Sequence, residues 1–410
     1  MEEKPKISYE TLWKFIIRPP RDNYIEDSMG QPIFKIKGRD YTRQDYNLIS
    51  SEGYNMKCSF FEPKIYDRPN KIMPVVLYLH GNSSSRLEGI NMLRELLKNN
   101  INLFVVDFPG CGLSEGEYIS LGYHESHDVK IIVDFIDKLP GVGYIGIWGR
   151  SMGAATTMIY AHKDKRIKAI CMDSPFADFS LLAKELVLKQ IKLPNFLIEG
   201  ALKIIRKTIK NKNGLDINKL KPIDAAPKTT QPAFFIHAND DELIDNKHSD
   251  MLINAYKGKD KCLKRCNGQH NTKRPNKLIR EVIDFFYKHL VNNDYDNFNI
   301  KKKENIPKKS SMFDFLMNND KYINKNKNVI NNKDNFKDKQ KEVENNDKTE
   351  INSNEKNENI FDNEKYMIEK DEKNKKEMEL LNNELSKCFG EYESKNNKRN
   401  IDVNNDFDEK

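Results

Sequence analysis

Two stretches in which apolar and polar residues alternate, Asp45–Ile49 and Asn55–Phe61, flank the turn residues Ser50-Ser51-Glu52-Gly53. A period of two on both sides of a turn predicts an antiparallel hairpin. At Pro74 the pattern changes. Pro74-Val75-Val76-Leu77-Tyr78-Leu79 has no polar partner positions, as in strands of a parallel sheet covered on both faces. Arg86–Lys98 then places Ile90, Leu93, Leu96 and Leu97 on one helical face. The alternation continues with strand at Leu103–Val106, helix at His127–Leu139, strand at Ile145–Trp148, helix at Met152–Ala161 and strand at Ile167–Met172. Ala233–Ile236 and Cys262–Leu263 supply further strands, and Lys277–Leu290 closes the series as a helix carrying Leu278, Ile279, Val282, Ile283, Phe285 and Phe286. Crossovers of this length permit parallel pairing, so the pattern predicts an α/β domain with a mostly parallel, doubly wound sheet. Between Ser180 and about Leu215 the helical pattern interrupts this order, with Leu181, Leu182, Leu186, Val187, Ile191, Leu202, Ile205 and Ile209. That is more apolar surface than one core face needs, and it predicts a small helical cap over a cleft.

Composition sets the limits of the folded part. From about Val291 the chain turns to Lys, Asn, Asp and Glu, as in Asn331-Asn332-Lys333-Asp334-Asn335, and buries too little to offset its ordering entropy. The expected organisation is an N-terminal extension packed on the core over 1–44, the α/β domain over 45–290 with its cap at about 180–215, and a disordered tail over 291–410. Met378, Leu381, Leu385 and Cys388 form too short a repeat for a coiled coil, and no partner for the tail follows from it. The net charge of +7 is spread through both signs without a basic block carrying interleaved aromatics, which excludes a nucleic-acid partner. Cys58, Cys111, Cys171, Cys262, Cys266 and Cys388 are scattered, and Met1-Glu2-Glu3-Lys4 has no signal-peptide pattern, so a cytoplasmic protein with reduced thiols is expected. Cys262, Cys266 and His270 lack the paired spacing of a metal site, and no metal or cofactor is expected. No apolar run is long enough to span a bilayer. Leu12-Trp13-Lys14-Phe15-Ile16-Ile17 could touch a membrane surface peripherally, a role ranked below packing against the domain.

The chemistry centres on Gly149-Arg150-Ser151-Met152-Gly153, between the strand ending at Trp148 and the helix opening at Met152. A serine in a sharp strand-to-helix turn needs small residues on both sides, and its hydroxyl then stands over a helix N-terminus that favours developing negative charge. Such a nucleophile needs a base and an acid to orient it, in the order Ser, acid, His. His270 lies in the turn-rich loop Asn267-Gly268-Gln269-His270-Asn271-Thr272 between the last strand and the closing helix, and is the candidate base. The other histidines, at 80, 124, 127, 162, 237, 248 and 289, sit at strand or helix ends and read as packing or capping residues. Asp241, just past the strand Phe234-Phe235-Ile236, is the candidate acid, with Asp240 and Glu242 one residue away and Asp173 as an alternative from another strand end. Two N–H donors must meet the oxyanion. Met152 supplies one, and Asn82, in the loop His80-Gly81-Asn82-Ser83-Ser84, the other. Asp107-Phe108-Pro109-Gly110-Cys111-Gly112-Leu113-Ser114-Glu115-Gly116 approximates a dinucleotide fingerprint, but its third glycine is misplaced and it reads as a tight structural loop.

Taken together, His80-Gly81-Asn82, the Asp107–Gly116 loop, Gly149–Gly153 and Asp173-Ser174-Pro175-Phe176 resemble the α/β-hydrolase superfamily. Within it they are similar to the branch of serine aminopeptidases, monoacylglycerol lipases and α/β-hydrolase-domain depalmitoylases. Ile17-Arg18-Pro19-Pro20-Arg21 and His270-Asn271-Thr272-Lys273-Arg274-Pro275 resemble a narrower subgroup from plants and protists. Ala238 stands where many relatives carry Gly, and the N-terminal Cys cluster of the depalmitoylases is missing. The resemblance covers about Leu12 to Leu290 and implies an α/β-hydrolase fold. It implies a serine hydrolase acting on a carboxylic ester or thioester with a lipophilic acyl group. Ser151, Asp241 and His270 would form the triad and Asn82 and Met152 the oxyanion hole. The partner would be a small-molecule or lipid acyl substrate, or an acylated protein. An aminopeptidase-like amide hydrolase and a non-catalytic adaptor that presents the charged tail are the alternatives.

Overall fold

The computed structural model of the chain describes residues 13–14, 16–190 and 195–291. Its strands are β1 Ile33–Ile36, β2 Arg39–Ile49, β3 Asn55–Pro63, β4 Met73–Leu79, β5 Asn102–Val106, β6 Val142–Arg150, β7 Ile167–Asp173, β8 Ala233–Ala238 and β9 Lys261–Cys266. The α-helices are α1 Leu87–Lys98, α2 Tyr123–Ile136, α3 Met152–Ala161, α4 Phe179–Gln190, α5 Asn195–Asn213, α6 Lys247–Ala255 and α7 Asn276–Leu290. The strands form one nine-stranded sheet in the order β1-β2-β3-β5-β4-β6-β7-β8-β9. β1 to β3 are an antiparallel meander, β3 joins β5 antiparallel, and every pair from β5 to β9 is parallel.

The apolar run at Met73–Leu79 is explained by its place. β4 lies between β5 and β6 and is buried at every position. Strand alternation sends Val76, Tyr78, Leu103, Val105, Trp148 and Cys171 to one face, where Leu96 and Leu97 of α1 and Leu278, Val282, Ile283 and Phe286 of α7 cover them. α3 packs on β4, β6 and β7 together with α2, covering the other face. Gly146 permits the close approach of α7, since a Cβ there would lie 2.8 Å from the Phe286 ring. The mostly parallel, doubly wound α/β sheet predicted from the pattern is therefore the architecture observed.

Some boundaries differ. β1 was not visible as a strand, and β2 begins at Arg39, so the stretch read as an N-terminal extension, 1–44, contains β1 and the start of β2. α2 starts at Tyr123 rather than His127. The Glu125 carboxylate folds back to accept the N–H groups of Ser120 and Gly122, each at 2.8 Å, and this cap sets the helix start. The helical stretch after Ser180 resolves into α4 and α5. Two compact units separate here: the body, Trp13–Lys189 with the described residues from Arg206 to Val291, and a second unit to which Gln190–Ile205 belongs. The tail expected over 291–410, with its short repeat at Met378–Cys388, lies outside the described residues apart from Val291.

Candidate active site

β6 ends at Arg150 and α3 begins at Met152, so Ser151 alone makes the turn. Its φ of 50° and ψ of −113° put a non-glycine residue in a sparsely populated region, which costs about 1–3 kcal/mol. The turn is held by the Ser151 N–H, which donates to the Asp173 carbonyl at 2.8 Å, and by the Ala155 N–H, which donates to the Ser151 carbonyl at 3.0 Å. Both flanking glycines are required by space. A Cβ on Gly149 would lie 2.2 Å from the Gly153 carbonyl oxygen, and one on Gly153 would lie 2.0 Å from the Leu79 carbonyl oxygen. Ser151 thus stands at the first turn of α3, where the Met152 N–H is among the free helical donors.

Asp241 follows β8 and His270 follows β9. The His270 Nδ1–H donates to Asp241 Oδ2 at 2.7 Å, and both residues are buried. Asp241 Oδ1 accepts the N–H groups of Leu243 and Ile244 at 3.1 and 2.8 Å. Burial alone would raise this carboxyl, but the hydrogen bonds from His237 and His270 outweigh it and hold Asp241 well below the usual carboxylate range. Asp240 and Glu242 are exposed. Asp173 is taken by Arg274, whose Nε lies 3.0 and 2.9 Å from its two oxygens and whose Nη2 lies 2.8 Å from Oδ1. Of the acids weighed from sequence, Asp241 is the one bonded to the His270 ring.

Asn82 lies beyond the end of β4, in a loop packed on the elbow. A Cβ built on Gly81 would be 3.6 Å from the Ser151 Cβ. His80 orients this loop. Its Nε2 accepts the Phe108 N–H at 3.1 Å, so Nδ1 carries the proton and donates to the Gly81 carbonyl at 2.7 Å. The peptide bonds are trans. Fixing the Gly81 carbonyl therefore fixes the Asn82 N–H in the opposite direction.

Several neighbours of these residues were not assigned roles from sequence. Arg150, the variable position of the elbow, donates through Nη2 to the His270 carbonyl at 2.7 Å and through Nη1 to Glu88 at 2.6 Å. Arg274 also donates to the His270 carbonyl, at 3.2 Å, to Ser174 Oγ at 3.0 Å, and to the Gln269 and Thr272 carbonyls at 3.1 Å. His237, read as a packing residue, is fully buried with Nε2 3.3 Å from Asp241 Oδ2. Its Nε2–H donates to the Ile244 carbonyl at 2.9 Å while Nδ1 accepts the Ser249 hydroxyl at 2.6 Å. Arg274 stands in the His270–Pro275 stretch, and Arg150 stands beside the serine. Those positions were the signal available.

The Asp107–Gly116 loop is structural. The Asp107 carboxylate accepts the N–H groups of Arg86 and Leu113 at 2.6 and 2.9 Å and the Tyr24 hydroxyl at 2.6 Å. A Cβ on Gly112 would lie 2.4 Å from that carboxylate, so this glycine serves the loop itself. No group of three or more His, Cys, Asp or Glu among the described residues is arranged to hold a metal ion. No described helix is long and apolar enough to cross a membrane.

The family model described as "alpha/beta hydrolase fold" matches residues 74–197, from β4 through the elbow into α5. The chain is 27% identical over 268 residues to the uncharacterized protein YqkD of Bacillus subtilis, covering 63% of this chain and 85% of that protein. It is 28% identical over 111 residues to the lysophosphatidylserine lipase ABHD12 of Gallus gallus, covering 26% of this chain and 29% of that lipase. Among solved structures it is similar to the esterase Pf2001 of Pyrococcus furiosus, with a TM-score of 0.51 and 20% identity over 67% of this chain and 98% of that one. The strand order, the glycine-flanked elbow and these likenesses agree: the chain has an α/β-hydrolase fold and is similar to proteins of that superfamily.

Proposed function

We propose that the protein is a serine hydrolase that cleaves a carboxylic ester or thioester carrying a lipophilic acyl group. The observation that carries this reading is the 2.7 Å His270–Asp241 hydrogen bond on a loop that Arg150 ties to the Ser151 elbow. In the proposed reaction His270 Nε2 takes the Ser151 proton as Oγ attacks the acyl carbon. Asp241 stays ionised, holds the Nδ1–H tautomer and stabilises the imidazolium. The N–H groups of Met152 and Asn82 donate to the tetrahedral oxyanion and stabilise its charge. His270 then returns the proton to the leaving alkoxide or thiolate. Water, activated by the same base, releases the acid from the acyl-serine. All the chemistry is carried by side chains and backbone.

The lipid class of the acyl group rests on similarity to the ABHD12 lipase. The scattered cysteines support a cytoplasmic setting, and peripheral membrane contact would suit a lipid substrate. The test is a panel of p-nitrophenyl esters and acyl thioesters of increasing chain length, turned over by wild type and Ser151→Ala. Turnover that depends on Ser151 and rises with acyl length is expected. Equal rates from the two proteins would remove the serine mechanism, and a preference for acetyl would remove the lipophilic acyl group.

A further inference from the structure

The structure assigns to the Arg150–Glu88 ion pair a positioning role: it couples the loop carrying the candidate oxyanion donor to the loop carrying the candidate base. The inference rests on the proposed serine-hydrolase reading. Three contacts and one chain adjacency carry it. Glu88, on α1, accepts the Gly81 N–H through Oε2 at 2.8 Å and Arg150 Nη1 through Oε1 at 2.6 Å. Arg150 turns its other terminal nitrogen to the His270 carbonyl at 2.7 Å. Arg150 is also the residue immediately before Ser151 in the chain. A single carboxylate–guanidinium unit therefore touches all three segments that must meet at the reacting carbonyl.

The geometry makes this more than a fold contact. Gly81 is gripped on both sides: His80 Nδ1–H holds its carbonyl, in the peptide shared with Asn82, and Glu88 holds its N–H, in the peptide shared with His80. Losing the Glu88 grip frees the peptide before Gly81 to rotate, and with it the aim of the Asn82 N–H. Both side chains are largely withdrawn from water, at 17% and 11% exposure, so water does not readily substitute for the missing partner. The planar guanidinium is needed because its two Nη groups point to different acceptors at once. A lysine ammonium on a flexible stem cannot match both. Arg274 also reaches the His270 carbonyl, but it does so from the Asp173 side and touches neither Glu88 nor Gly81 among its described bonds.

Misplacing a catalytic group by about 1 Å, or losing one oxyanion donor, costs about 10²–10³ in rate, and partial loosening should cost less. The test compares full-chain wild type, Ser151→Ala, Arg150→Ala, Arg150→Lys, Glu88→Ala and Glu88→Gln on a p-nitrophenyl ester, reading kcat and KM separately. Thermal unfolding of each is recorded alongside. Arg150→Ala and Glu88→Ala should lower kcat by about 10–100-fold with KM changed by less than about threefold. Because the two act as one unit, the double Ala variant should be no more than about twofold worse than the worse single. Glu88→Gln keeps an acceptor for the Gly81 N–H and should recover much of the loss. Arg150→Lys keeps the charge but cannot bridge, and should still lose about tenfold. Wild-type kcat in Arg150→Lys, or losses confined to KM, would overturn the positioning role even where the alanine variants fail to fold. Ser151→Ala turning over at the wild-type rate would instead overturn the hydrolase reading beneath it.

Discussion

Replacing Arg274 with methionine is the perturbation that most directly measures how firmly the base loop is held. Arg274 and Asp173 are 5% and 3% exposed, and their bidentate contact joins the loop after β9 to the end of β7. Methionine preserves the bulk of the stem and removes every donor. A carboxylate is then left in the interior without its cation, which costs about 3–5 kcal/mol. The Gln269, Thr272 and His270 carbonyls lose a donor at the same time. For a domain of this size each kcal/mol lowers Tm by about 2–4 °C, so the expected drop is about 6–20 °C. Circular dichroism during a thermal ramp of the full chain measures it. Arg274→Met combined with Asp173→Leu removes both charges and should recover part of the loss, because an apolar pair replaces a stranded ion. A drop below about 2 °C in the single variant, or a double variant no more stable than the single, would refute the buried-pair argument.

Three further outcomes follow from the same geometry. Gly153→Ala forces a Cβ to 2.0 Å from the Leu79 carbonyl oxygen, so the elbow must move; fluorophosphonate labelling of a folded variant at the wild-type rate would contradict this. His237→Phe removes the second donor near Asp241 Oδ2 and leaves Ser249 and Ile244 unpaired, which should cost about 1–3 kcal/mol and lower kcat, read by urea titration and steady-state rates. Asp128 tests pH linkage, since burial pushes its carboxyl up to about 7 while it accepts the Ser51 N–H and hydroxyl at 2.7 Å. A folded value above the unfolded one means that its stabilising contribution is full below about pH 4 and is lost as pH rises through about 7. Asp128→Asn should therefore gain on wild type by roughly 2–3 kcal/mol between pH 5 and pH 8 in urea unfolding, and a constant difference would contradict it.

What could be read from the sequence was what depends on local pattern. The parallel strands announce themselves because burial on both faces leaves no polar alternation, as in Val75–Leu79. The elbow is legible because its two glycines flank the serine in a strand-to-helix context, although only Gly149 is demanded by contacts within the elbow and its helix, Gly153 being demanded by the Leu79 carbonyl on β4. β1 was missed because it is a short edge strand, Ile33–Ile36, with little burial to impose a pattern. The start of α2 was missed because a cap sets it through the Glu125 carboxylate. Asp241 could be separated from Asp240, Glu242 and Asp173 only by contact, since its bond to His270 spans 29 positions of chain. Arg150, Glu88 and Arg274 were hidden for the same reason. Each matters through a partner distant in sequence, and one sequence carries no record of such pairs; His237 lies four positions from Asp241, and the turn after β8 brings the two together.

The central claim is that Ser151 is a nucleophile made reactive by His270 and Asp241. The measurement that tests it most directly is covalent labelling with a fluorophosphonate probe, followed by peptide mapping of the adduct. Folded wild type should carry one adduct, on the peptide containing Ser151, with labelling abolished in Ser151→Ala and strongly slowed in His270→Ala. A wild-type protein that does not label, or an adduct that survives in Ser151→Ala, would contradict the account.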